Sequence, residues 1–225
     1  MANCETGDQI TATRFFAVTV VAVCLIVSAG CNTNVTVEGS LPTPLVRKLP
    51  LKMGVYFPPA FRDFTHQEKI YEQGTWTVDM GTQNLEFFRS MFTAMFDQAV
   101  EIQVLHIPTG DEVGAGSVLV PEDLDGIIVP EIAKYGFLTP QISGLSFFSA
   151  SIHYRISIYD KAGNLAVNWV VVGYGKSPTS MFGDGEALKD ATILAIRDGG
   201  ARIAIGTYQH PAVLKWLGAN DISMD

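Results

Sequence analysis

Eleven residues, Phe148 to Ile158, constrain the fold of this 225-residue chain more than any others. The even positions Phe148, Ala150, Ile152, Tyr154, Ile156 and Ile158 are apolar, whereas Ser149, Ser151, His153, Arg155 and Ser157 fill the odd ones. A period of two over that length dictates a β-strand with one buried and one wet face. The turn Asp160-Lys161-Ala162-Gly163-Asn164 then leads into Leu165 to Tyr174, which is apolar on both faces. The pair is expected to form a long antiparallel hairpin at the centre of a sheet, with helices on one side.

Other segments supply the rest of that sheet and its cover. Leu51 to Phe57 and Thr75 to Met80 read as strands, with a loop or loosely formed strand over Ala60 to Gly74. Leu85, Phe88, Phe92, Met95, Phe96 and Ala99 recur at three- and four-residue steps, so they line one apolar helix face with Thr82 as its cap. Val100, Ile102 and Val104 follow as a strand. Residues 106 to 123, rich in Gly and Pro, form a long connection to a strand from Leu124 to Ile132, where Pro130 marks an edge or a bend. Lys134 to Ser146 reads as a loop. A helix over Glu186 to Ile205, open to a bend at Gly199-Gly200, and a short helix from Pro211 to Gly218 complete the chain. The fold class expected is α/β (α+β): a two-layer sandwich of a mixed, largely antiparallel sheet with helices on one face.

Ahead of this domain, Phe15 to Cys31 reads FFAVTVVAVCLIVSAGC, an apolar run ending in Ser28-Ala29-Gly30-Cys31. It resembles the signal peptide and lipobox of bacterial lipoproteins. The resemblance implies that residues 1–30 are removed and that Cys31 becomes a diacylglycerol- and palmitate-carrying amino terminus. Residues 31–50, with Pro42, Pro44 and Pro50, would then be a flexible tether, and residues 51–225 a single periplasmic domain. About twenty tether residues reach ~65 Å when extended and ~25 Å as a coil. Asn32 after the cysteine implies outer-membrane sorting by the same resemblance. An uncleaved membrane span and a plain secretory signal are the rival readings, since no charge occurs between Arg14 and Glu38.

Composition narrows the function classes. The net charge is −8, and loss of Glu5, Asp8 and Arg14 with the leader makes it −7, which excludes attraction to nucleic acid. Cys4 and Cys24 would leave with the leader, so the mature domain has no internal disulfide, no thiol catalyst and no zinc-thiolate site.

The strand MGVYF, the helix EFFRSMFTAMF running into VEIQV, the hairpin ISIYDKAGNLAVNWVVVGYG and the helix EALKDATILAIRDGGARIA form an order that spans most of the mature domain. On a lipid tether that order resembles the small domains of envelope assembly and transport-accessory lipoproteins: ABC-transport auxiliary, curli-secretion-type and lipopolysaccharide-assembly lipoproteins. It is also similar to an uncharacterised lipoprotein family. These resemblances imply partner docking in or under the outer membrane and transfer no catalytic residue.

Motifs for chemistry are incomplete. Gly173-Tyr174-Gly175-Lys176-Ser177 lacks a phosphate loop's first glycine, because Val170 occupies that position. Asp123-Leu124-Asp125-Gly126 imitates part of a calcium loop, but Pro121 stands at the first ligand position. His66, His106, His153 and His210 show no ligand spacing. No catalytic residue, metal site or cofactor is therefore expected. The leading function is a noncatalytic lipoprotein that docks an envelope protein and reaches the membrane through the lipid on Cys31, with Met181 and Phe182 in the loop KSPTSMF as partner-binding residues. The alternatives are a carrier or sensor of a lipid or other apolar ligand, for which a cavity at Phe88, Phe92 and Phe96 would speak, and a cell-wall hydrolase, which would need convergent carboxylates.

Overall fold

The computed structural model describes residues 32–42, 45–105, 117–179 and 183–219. Cys31, Met181, Phe182 and His106 lie outside the described residues. Among those described, the strands are β1 (Asn32–Thr36), β2 (Leu49–Tyr56), β3 (Thr65–Ile70), β4 (Gly74–Asp79), β5 (Phe96–Ile102), β6 (Gly126–Leu138), β7 (Phe147–Asp160) and β8 (Leu165–Pro178). The helices are α1 (Pro59–Arg62), α2 (Gly81–Met95), α3 (Pro140–Ser143), α4 (Asp184–Gln209) and α5 (Pro211–Ala219). Asn32, Thr33 and Gln67–Trp76 belong to a small compact unit that takes the distal parts of β3 and β4; the other described residues form the main unit. A three-stranded sheet has the order β1-β4-β3, and a five-stranded sheet the order β5-β2-β6-β7-β8.

The expected class is observed: a mixed α+β sandwich whose long antiparallel hairpin pairs Phe147–Tyr159 with Leu165–Pro178. Strand β2 is parallel to both β5 and β6, while β6, β7 and β8 are antiparallel. Within the hairpin, β7 is interior and β8 forms the sheet edge. The turn closes on Gly163 at φ 82°, where Asn164 N–H donates to Asp160 Oδ1 at 2.9 Å.

Both long helices cover the same sheet face, because the apolar alternation of β7 turns Phe148, Ile152, Tyr154, Ile156 and Ile158 there. Phe148, Ile152, Tyr154 and Ile156 are wholly buried. The Phe88 ring of α2 lies 5.0 Å from that of Tyr154. Helix α4 runs unbroken through Gly199 and Gly200. The expectation of a bend there gives way to close packing: a Cβ on Gly199 would come within 2.7 Å of the Tyr154 ring, and one on Gly200 within 2.1 Å of Phe87. Glycine allows the helix to seat against two aromatic rings.

Four further expectations are corrected. Thr82 is exposed and caps nothing; α2 begins at Met80 without a side-chain cap, and its buried face turns on Phe87, Phe88, Met91 and Phe92 rather than Leu85. Phe96 already belongs to β5. The loop expected over Lys134 to Ser146 instead continues β6 to Leu138, then forms α3. A register shift between Ile132 and Lys134 inserts one residue, so Tyr135 and Phe137 turn toward the helices and the alternation changes phase in mid-strand. Pro130 lies two residues past Ile128, the last β6 partner of β2, so its missing N–H interrupts no β2 pairing.

The fourth correction concerns the tether. Residues 32–36 form β1, Val35 and Val37 are buried, and Val37 N–H donates to Asp79 O at 2.8 Å. Gly39 N–H donates to Gln83 Oε1 at 2.7 Å. The sequence NVTVE carries the same period of two as β7, with valines inward, which explains why this part docks rather than floats.

Candidate functional site

The two faces of the β6-β7-β8 sheet differ. Toward the helices, Phe88, Phe92 and Phe96 are at most 1% exposed and their rings follow one another at centroid distances of 5.7 and 6.3 Å. Phe57 and Phe61 extend the cluster, stacked at 5.7 Å. The phenylalanine stripe is buried, packed core. A hollow of about 210 Å³ beside the cluster is lined by Phe57 and Phe92 together with Val55, Arg89, Thr93, Ala99 and Glu101.

An ion pair borders that hollow. Arg89 donates from Nε and Nη2 to the Glu101 carboxylate at 2.7 and 3.1 Å, and Arg62 lies 3.3 Å away. The hydrogen bond from Arg89 holds the Glu101 carboxyl below its usual range. A lowered folded-state value stabilises the fold above the unfolded glutamate pKa of about 4.3, and this contribution is lost as pH falls through the folded value. Solvent screens the pair, so Glu101→Gln is expected to lower stability by no more than about 1 kcal/mol at pH 7. Urea melts at pH 7 and pH 3 should show the difference shrink at the lower pH.

On the opposite face, register places four rows across the strands: Glu131–Arg155–Val170, Lys134–His153–Val172, Gly136–Ser151–Tyr174 and Leu138–Ser149–Lys176. Leu138, Val170, Val172 and Tyr174 are 41–50% exposed, an apolar group on a sheet face that sequence alternation alone would make polar. At one end of this face, Val118 packs on Ile127 and Val129, with Tyr56, Val120 and Tyr159 around them. Val118 N–H donates to Gly163 O at 3.0 Å. At the other end, Leu138 and Tyr174 are about half exposed.

Two depressions meet at Tyr174. One, of about 250 Å³, lies over Gly136 and Ser151 between Lys134, Leu138, Ser149 and Tyr174. The missing side chain of Gly136 makes its floor, for a Cβ there would find no atom within 4 Å. The other, of about 410 Å³, follows the β8 edge between Tyr174, Lys176, Leu194, Arg197 and Asp198. Lys176 Nζ sits 5.4 Å from the Phe147 ring centroid. Among the described residues, Lys134, Lys176 and Arg197 have no carboxylate within ion-pair distance.

The other motifs resolve into structure. Asp125 Oδ2 accepts the Lys52 backbone N–H and Asp123 pairs with Lys52 Nζ at 2.7 Å, so the calcium-like carboxylates tie a loop to β2. His66 stands edge-on to Tyr135 and His210 lies against Trp169. Gly173 and Gly175 lie within β8, not in a phosphate loop. Among the described residues no group of three His, Cys, Asp or Glu side chains is arranged to hold a metal, and no helix is long and apolar enough to cross a membrane.

The arrangement therefore defines an α+β sandwich with one closed and one partly open sheet face. No family model matches the sequence, and no curated protein matches it significantly. Among solved structures the chain is similar to a Xanthomonas campestris protein of the family DUF330, at 9% identity and a TM-score of 0.47, over 85% of this chain and 96% of that one. It is also similar to a hypothetical protein of Chlamydia trachomatis, at 12% identity and a TM-score of 0.41, over 72% of this chain and 99% of that one. A lipoprotein candidate from Caulobacter crescentus aligns at 10% identity and a TM-score of 0.32, over 43% of this chain and 70% of that one.

Proposed function

We propose that the protein is a noncatalytic lipoprotein, held at the periplasmic face of the outer membrane through Cys31, that docks an envelope protein on the open face of its β6-β7-β8 sheet. The observation that carries this reading is the asymmetry of the sheet. Its helix side is filled by packed aromatic rings, while Leu138, Val170, Val172 and Tyr174 remain half exposed on the other. A filled core supports a surface role over a carrier role, and half-exposed apolar residues around a depression are what a protein interface buries. Met181 and Phe182, the partner-binding residues expected from the sequence, follow Pro178 in the chain by three and four residues and lie outside the described residues.

A crosslinking pulldown from intact cells, with the full chain beside its Cys31→Ser form, tests the reading. One envelope protein recovered with both forms is the expected result, since the sheet face is the recognition element and the lipid a tether. Lipid copurifying with the Cys31→Ser form, with no protein partner, would contradict it. Reversal of the apolar face by Val172→Asp is expected to reduce recovery about tenfold, with the melting temperature held within a few degrees.

A further inference from the structure

Resting on that docking reading, we infer that the partner presents an acidic segment with an apolar or aromatic anchor, received at the Gly136–Tyr174 depression by side-chain contacts and not by strand addition. Three observations converge. First, the chain as a whole is acidic at −8, yet the three cations ringing Tyr174 lack carboxylate partners among the described residues. Lys134 and Lys176 stand diagonally across the Gly136–Ser151–Tyr174 row, one row to either side and two strands apart. Rows about 7 Å apart and strands about 4.8 Å apart put their Cα atoms roughly 17 Å from each other. That span suits a segment of five or so extended residues with carboxylates at both ends. Arg197 faces the second depression from α4.

Second, the surface between the cations is concave. Gly136, Ser149 and Ser151 form a low floor, and Leu138 and Tyr174 form an apolar rim. A concave hollow with an apolar rim accepts a protruding side chain, whereas a lipid surface calls for apolar residues that protrude from the protein. The shape favours a polypeptide.

Third, the β8 edge is already occupied where a strand would add. Tyr174 N–H donates to Asp198 Oδ2 at 3.0 Å, and Arg202 Nε holds the same oxygen at 2.9 Å. A carboxylate fixed on an edge amide denies that amide to an incoming carbonyl. The same Asp198 would repel an acidic segment lying along the edge, which directs the segment onto the sheet face between Lys134 and Lys176.

The test is a photo-crosslinking amino acid at position 153, between Lys134 and Val172, in the full chain in its native cells, with the adduct mapped by mass spectrometry. The expected adduct is a protein segment with at least two acidic residues flanking an apolar one. Lys134→Glu with Lys176→Glu is expected to lower adduct yield at least about tenfold through like-charge repulsion. Gly136→Val, whose Cβ would enter the hollow with no atom within 4 Å, should do likewise, and Asp198→Asn should leave the yield within about twofold. An adduct to a neutral or basic segment, or one insensitive to the lysine reversals, would overturn the acidic chemistry and leave the docking reading standing. An adduct to lipid, or none at all, would overturn both.

Discussion

Gly175→Ala is expected to destabilise the protein by about 3 kcal/mol. A Cβ at that position would come within 2.1 Å of Ala191 O and 2.5 Å of Ala195 N, both backbone atoms of α4. A side chain could rotate away, but a helix backbone cannot, so α4 must lift from β8 along its contact. Gly173 faces the same helix, with Ala195 O at 2.2 Å and Gly199 N at 2.7 Å, and Gly173→Ala should behave alike. Overpacking of this kind costs about 3 kcal/mol, which for a chain of this length lowers the melting temperature by roughly 6–12 °C. Gly136→Ala is the control. It is also a β-strand glycine, it would meet nothing within 4 Å, and it should be neutral or stabilise by about 0.5 kcal/mol through the unfolded chain. Thermal melts of the three variants separate a packing role from an indifferent one, and equal losses at Gly136 and Gly175 would refute the helix-on-strand explanation.

Tyr154→Phe is expected to cost about 2 kcal/mol while removing a single oxygen. Tyr154 is wholly buried where α2, α4 and β7 meet, and its hydroxyl donates to Asn84 Oδ1 at 2.5 Å. Asn84 is likewise buried and donates from Nδ2 to Met80 O at 3.0 Å, tying the first turn of α2 to the strand. Loss of the hydroxyl leaves an amide oxygen buried and unpaired, and that desolvation is the larger part of the cost. Asn84→Leu in the Tyr154→Phe background should recover part of the loss, and the double-mutant cycle measures the coupling directly. Burial also pushes the Tyr154 pKa well above the usual tyrosine value. A folded value above the unfolded one means that the contribution is present in full below about pH 10 and is lost as pH rises from there toward the folded value. Wild-type stability should therefore fall above pH 10 more steeply than that of Tyr154→Phe.

The hairpin was legible because β7 alternates apolar with polar residues, although only Arg155 is exposed and Ser149 and Ser157 are buried on the polar side. The central helices were legible for the same reason at period 3.6. Three kinds of feature were not. The second half of β6 escaped because its bulge at residue 133 exchanges the faces, so that Tyr135 and Phe137 sit out of phase with Ile128 and Pro130. Gly199 and Gly200 read as helix breakers because sequence shows the lost propensity and not the Tyr154 and Phe87 rings that take the vacant space. Strand β3, THQEKI, is polar throughout except Ile70 and carries no periodic signal at all.

The open face was hidden differently. Val170, Val172 and Tyr174 made β8 look buried on both sides, and the natural reading was a strand in mid-sheet. Only the pairing order shows that β8 is an edge and that these residues face outward beside Lys134 and Gly136 of β6. The Gly136 hollow joins residues 134, 151 and 174, whose proximity depends on register. Met181 and Phe182, the apolar pair that sequence singled out, lie a few residues beyond the Pro178 end of the same strand.

Docking on that face is tested most directly by Leu138→Asp with Tyr174→Asp, carried into the crosslinking pulldown from intact cells. Both side chains are about half exposed, so the doubly substituted protein should melt within a few degrees of the wild type. The expected result is loss of the envelope partner from a folded, membrane-localised protein. Retention of the partner at wild-type recovery by that folded variant would contradict docking on this sheet face.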